Sequence, residues 1–231
     1  MARFLGDFGI RRAHRMNGAL MAMLLNGVHD RHAGRVFVLQ VGSGPGQGDP
    51  DLPPRIAEGW SGLLVEPHPA HFAALEALHA TSDRVAVLNL GISDIAGSLP
   101  LYSLTAEAAA RLPKLAPNRA SLIRDRIAGP GVTAEDIASV EVPVLRMDAV
   151  LRELGIDSAQ LVMVNAGGHE EQVLRSFDLS ALGPALVLVR STSGTPQDDA
   201  IVAQLTGSGL AAFRIGGWLA GLSPGLSVPL D

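Results

Sequence analysis

The chain has 231 residues, 47% of them hydrophobic and 18% charged, with a formal net charge of −5. That supports one sizeable core, and the lack of a long basic run argues against a nucleic-acid surface. Cysteine is absent, which excludes disulfides, thiolate metal sites and a cysteine nucleophile.

Residues 1–35 read as an N-terminal helical segment, one or two helices over 1–32, with Met16, Leu20, Met23 and Leu24 on one face. The apolar stretch 19–25 follows Arg11, Arg12 and Arg15 in the manner of a signal peptide, but it stops at Asn26-Gly27 with no small-residue cleavage site. No stretch approaches the roughly 18 apolar residues of a membrane span. The expectation is a helix packed on the domain of a cytoplasmic protein.

Residues 36–41 are an apolar run, read as a strand buried on both faces. Gly42, Gly44 and Gly46 follow at alternate positions, then a loop over 45–54 rich in glycine, proline and aspartate. A short helix is expected at about 55–59 and a second strand at 62–66, ending in Glu66. Pro67 and Pro69 open a helix over about 69–80, with Phe72, Leu75 and Leu78 or His79 inward. A third strand covers 84–89 and a loop covers 91–94.

Residues 95–147 break the strand–helix alternation and read as an insertion. Strands are expected at 98–104 and 140–145, with Pro143 marking an edge or a bulge. Between them stand Arg111, Lys114, Arg119, Arg124 and Arg126. They form either a solvated helix face or part of a mobile segment over the site that meets an acidic substrate.

A helix over 148–154 ends at Gly155, and a fourth strand covers 160–164. Asn165 to His169 form its outgoing loop, followed by a helix over 170–176 with Val173, Leu174 and Phe177 inward. A strand at 185–189 and a helix at 197–206 follow. The tail reads as a hairpin of 211–215 with 226–230, turning at Gly216-Gly217. The alternation predicts an α/β fold with a mainly parallel sheet and helices on both faces.

Ligands of such sheets sit at the carboxyl ends of the strands. A dinucleotide fingerprint fails, because Gln47 and Asp49 stand where G-x-G-x-x-G needs its third glycine. No Gly-Lys-Ser/Thr triplet makes a P-loop. The G-x-G-x-G pattern resembles the first motif of class I S-adenosylmethionine (SAM) methyltransferases. Glu66, at the end of the second strand, suits the vicinal hydroxyls of a ribose. His68 with His71, and His29 with His32, lack a third ligand at fitting spacing, so no metal is expected.

Four stretches together resemble the FkbM-type methyltransferases. They are Val41-Gly42-Ser43-Gly44-Pro45-Gly46, Trp60 to Pro67 (W-x-G-x-x-x-E-P), Val140 to Asp148 (V-x-V-P-V, then a helix), and Val164 to Glu170. The resemblance implies a Rossmann-like class I fold, a seven-stranded sheet with the last strand antiparallel. It also implies SAM as cofactor and methyl transfer to an oxygen of a small hydroxylated molecule, such as a sugar, glycan or secondary metabolite. Gln40, Gly42, Ser43, Gly44, Glu66, Pro67, Asn89 and Leu90 are the expected cofactor contacts, with Asp94 behind them. His169 is the candidate base, Glu170 its orienting partner and Asn165 a substrate contact. Asn165 and Gly167 replace the family's usual Asp and Glu, and Gln40 stands where the fold often has an acid. Two readings follow: an active O-methyltransferase, or a relative that binds SAM or a partner without turnover.

Overall fold

Apolar runs without polar alternation become strands buried on both faces, and four such runs build the centre of this molecule. The computed structural model describes residues 2–46, 52–112, 119–191 and 195–226, with side chains from Asn17 onward. The first half of the chain runs α1 (Ala2–Arg31), β1 (Phe37–Val41), α2 (Leu52–Ala57), β2 (Ser61–Val65), α3 (Pro69–His79) and β3 (Val85–Leu88). β4 (Gly91–Ile92), β5 (Gly97–Leu104), α4 (Ala106–Arg111), β6 (Ala120–Ser121) and β7 (Ile137–Leu145) follow. The second half holds α5 (Met147–Leu154), β8 (Leu161–Val164), α6 (Glu170–Arg175), α7 (Leu179–Leu182), β9 (Leu186–Arg190) and α8 (Pro196–Gly207). It closes with β10 (Ala211–Ile215) and β11 (Trp218–Leu222).

The main sheet has seven strands in the order β10-β11-β9-β8-β1-β2-β3. β11 runs antiparallel to both neighbours, and the other pairings are parallel. This is the class I methyltransferase-like arrangement expected from the sequence. Alternate residues of each central strand feed two cores. Leu39, Val41, Leu63, Val65, Val162 and Val164 face α5 to α8, where Leu151, Val173, Leu174 and Ile201 are buried. Val38, Leu64, Leu161 and Met163 face the other side, against α1, Trp60 and Leu75. Each fully buried aliphatic side chain contributes about 1.5–3 kcal/mol.

The N-terminal segment is one helix, and its inward face differs from the expected one. Met21, Leu24, Leu25 and Val28 are buried, at i, i+3, i+4 and i+7, while Leu20 and Met23 are half-buried. The side chain of Met16 lies outside the described residues. α2 starts at Leu52, earlier than expected, because Pro53 and Pro54 are tolerated in a first turn. The middle of the glycine- and proline-rich loop, 47–51, lies outside the described residues. On α3, Leu75 is buried and Leu78 exposed.

The terminal hairpin is corrected. β10 pairs with Trp218–Leu222, not with 226–230, of which 227–230 lie outside the described residues. Gly216-Gly217 makes a two-residue turn that sets Trp218 directly opposite Ile215, so the return strand begins at once. α7 was not expected; Asp178 caps it by accepting from Ser180 N and Ala181 N.

The strands β4 to β7 build a second sheet in the order β4-β7-β5-β6. β5 and β7 pair antiparallel from Gly97↔Val144 to Leu104↔Ile137. β4, expected as loop, covers β7 only at Val144 and Leu145, so Pro143 lies where that flank of β7 is open. Leu101, Val142 and Val144 form a small core with Leu99, Ala120 and Leu122. No helix among the described residues is long and apolar enough to cross a membrane.

Candidate functional site

The winding of the main sheet reverses between β1 and β8, and a cavity of about 570 Å³ opens at the carboxyl ends of these strands. Both parts of the chain build it. β1, β2 and β8 supply Val41, Gly44, Glu66 and Asn165; the second sheet supplies Arg119, Ser121 and Arg126. The volume lies within the roughly 300–1,000 Å³ of small-molecule pockets.

Gly42 and Gly44 have different jobs. Gly42 sits at φ 75°, and a Cβ there would lie 2.0 Å from the Asn165 carbonyl oxygen. Its missing side chain lets β1 approach the end of β8, and the residue also lines the cavity. Gly44, at φ 58°, has nothing within 4 Å of a Cβ position. Its N–H donates to Glu66 Oε2 at 2.7 Å. Glu66 Oε1 accepts from His68 N at 2.9 Å, with His71 Nδ1 at 3.5 Å. The carboxylate is thus fixed in orientation, 4% exposed, in the cavity wall. The stacked rings of His68 and His71 lie beside it.

Pro67 also lines the cavity, and the remaining expected cofactor contacts lie outside its wall. Gln40 is buried inside β1 and outside the cavity wall, because the strand turns that side chain into the fold. Ser43 is likewise buried off the wall, its Oγ without a partner among the described residues. Asn89 Nδ2 donates to the carbonyls of Glu66 and Pro67, bracing the turn behind the carboxylate from outside the wall. Leu90 packs on the core.

The loop after β8 separates the two residues expected to act as base and orienting partner. His169 Nε2 lies 3.0 Å from Ser93 Oγ, and the side chain is not in the cavity wall. Gly167 at φ 63° and Gly168 at φ 107° turn the chain so that Glu170 faces the cavity instead. Glu170 accepts from Ala166 N and Gly168 N at 3.0–3.1 Å, and from no atom of His169. Burial pushes the Glu170 carboxyl up, opposed by those backbone N–H groups. Asn165 lines the cavity as expected.

Burial also pushes His169 below the ordinary histidine value, only partly offset by Asp94. The unfolded chain therefore binds the proton more readily, so this group makes stability fall as pH drops below about 6.5. His169→Gln is expected to flatten the fall in urea midpoint between about pH 7 and pH 5. An unchanged slope would show that His169 titrates alike in both states.

The same loop is held from outside. Ser121 Oγ donates to the Gly167 carbonyl at 2.8 Å. A Cβ on Gly167 would lie 2.6 Å from the Ala120 carbonyl oxygen, and one on Gly168 would lie 2.6 Å from Arg126 Nε. Restoring an acid by Gly167→Glu is therefore expected to push β6 away and lower stability by about 1–3 kcal/mol. Denaturant unfolding checks this; a variant as stable as the parent would mean that β6 yields without strain.

Arg111 pairs with Asp136, Arg124 is exposed, and Lys114 lies outside the described residues. Ser121, Arg190, Gln197 and Asp198 line the cavity without having been foreseen. Gln197 and Asp198 follow β9 at the carboxyl edge, a position that the topology rule could have flagged. Ser121 arrives by long-range packing and carries no local signal.

A family model described as the methyltransferase FkbM domain matches residues 40–209. No match is found among curated proteins. Among solved structures, the chain is similar to the METTL16 methyltransferase domain at 15% identity and a TM-score of 0.48, covering 87% of this chain and 64% of that one. It is similar to magnesium protoporphyrin IX methyltransferase (ChlM) from Synechocystis PCC 6803, solved with bound SAM, at 10% identity and a TM-score of 0.45, covering 93% and 81%.

Proposed function

Because the chain belongs to the FkbM methyltransferase domain family over residues 40–209, we propose that it moves a methyl group from SAM to a hydroxyl of a small molecule. A sugar, a glycan or a secondary metabolite is the acceptor class. The observation that carries this reading is the fixed Glu66 carboxylate in the wall of a cavity at the switch point. Backbone N–H groups hold it, and its remaining lone pairs suit the two hydroxyls of a ribose. The glycine turn after β1 has neither the P-loop triplet nor the third glycine of a dinucleotide fingerprint, which agrees with a donor that has no phosphate.

When bound, SAM supplies a methyl group on a sulfonium, already activated for in-line displacement. The protein's part is alignment and handling of the acceptor proton. Glu66 and Gly44 would orient the donor. Glu170 would take the hydroxyl proton. It faces the cavity, and its raised pKa makes it a stronger base than an ordinary carboxylate. Asn165 would hydrogen-bond the acceptor. His169, turned to Ser93, serves the loop instead.

Calorimetric titration with SAM and with NAD tests the reading. SAM is expected to bind and NAD is not. No SAM binding at millimolar concentration would overturn it. SAM binding without turnover on any hydroxylated acceptor would favour a silent relative, a reading motivated by the neutral Asn165 and Gly167.

A further inference from the structure

Three arginines line the cavity: Arg119 and Arg126 from the segment around β6, and Arg190 at the end of β9. The carboxylates of the same wall are already engaged. Glu66 is held by Gly44 N and His68 N, Glu170 by Ala166 N and Gly168 N, and Asp198 pairs with Arg214 at 2.7 Å. Asn165 and Gly167 bring no charge. Among the described residues, neither Arg119 nor Arg190 has a carboxylate within ion-pair distance.

Two of these side chains are seated. The Arg190 guanidinium lies over the Trp218 ring, 5.2 Å from its centroid, and a Cβ on Gly217 would come within 3.1 Å of Arg190 Nη1. Arg126 lies over Gly168 in the same way, and its Nη2 reaches Gln197 Oε1 at 3.4 Å. Holding a long charged side chain in place costs rotamer entropy. Arg119, Arg126 and Arg190 match Glu66, Glu170 and Asp198 in number, so the wall is balanced in formal charge, and an anion would be held by the individual guanidiniums against a chain of net charge −5.

We infer that the methyl acceptor carries an anionic group, a carboxylate or a phosphate, bound by Arg119 and Arg190 with Arg126 beside them; this rests on the methyltransferase reading. Guanidinium forks match both anions in bidentate geometry.

The test uses the full chain. Inorganic phosphate and acetate are titrated by calorimetry at constant ionic strength, and SAM separately, into the parent and into an Arg119→Gln/Arg190→Gln variant checked by circular dichroism. The parent is expected to bind at least one anion. Its affinity should fall about tenfold or more in the variant, with SAM affinity unchanged. Binding of acetate as well as phosphate assigns a carboxylate; binding of phosphate alone assigns a phosphate ester. A parent that binds SAM and neither anion overturns the inference. So does equal anion affinity in the variant. A matching loss of SAM affinity also overturns it, because the arginines would then serve the donor's own carboxylate. Absence of SAM binding altogether is the separate failure of the methyltransferase reading.

Discussion

Glu66→Ala is expected to weaken SAM binding by about tenfold or more, or about 1.4 kcal/mol. The carboxylate does two things at once. It faces the cavity, where a hydrogen bond to a charged group contributes about 1.5–3 kcal/mol. It also accepts from Gly44 N and His68 N, so alanine leaves two backbone donors of the turn without an acceptor. Each lost acceptor costs about 1–3 kcal/mol if water cannot replace it. A drop in denaturant midpoint should therefore accompany the loss of affinity. Glu66→Gln separates the two roles, since the amide keeps the shape and one acceptor oxygen while removing the charge. Calorimetry on both variants, with urea unfolding alongside, reads each part. SAM affinity equal in parent, Gln and Ala forms would remove Glu66 from the site.

Gly42→Ala is expected to destabilise the fold by about 3 kcal/mol or more, combining left-handed backbone strain with overpacking. The backbone is at φ 75°, and the added Cβ would fall 2.0 Å from a main-chain oxygen at the end of β8. A side chain could swing aside; the Asn165 carbonyl can move only with the loop that carries Asn165 and Glu170. Gly44→Ala is the control. It has a similar φ of 58° but no atom within 4 Å of its Cβ position, so only the conformational cost of about 1 kcal/mol remains. Denaturant midpoints of the two variants measure the difference. Equal losses would mean that the contact with Asn165 has no bearing on why position 42 is glycine.

These two glycines show what spacing reveals. The G-x-G-x-G pattern and Glu66 located the cavity, because a strand buried on both faces leaves an unbroken apolar run and the chain turns where the run ends. The same logic exposed β2, β8 and β9. It could not separate a glycine needed for backbone contact from one that opens toward a ligand, since that depends on Asn165, far along the chain. His169 lies off the cavity wall for a related reason. Its place after β8 was read correctly, but the left-handed turns at Gly167 and Gly168 set which side chain faces the cavity. The inward face of α1 carries a regular helical pattern, yet two faces are apolar and only packing on Trp60 and Leu161 selects one. β4 and β6 are two residues each, too short to carry any periodicity.

The second sheet leaves and rejoins the main fold at one point. Val144 pairs with Gly91 on one side and with Gly97 on the other, so the excursion begins and ends at the same rung. A module tethered this way is a ready graft. Exchange of residues 97–145 with those of a relative should alter what the cavity admits, because Arg119, Ser121 and Arg126 travel with it. Gly44 and Glu66 would stay behind, so recognition of donor and acceptor could diverge separately in this architecture.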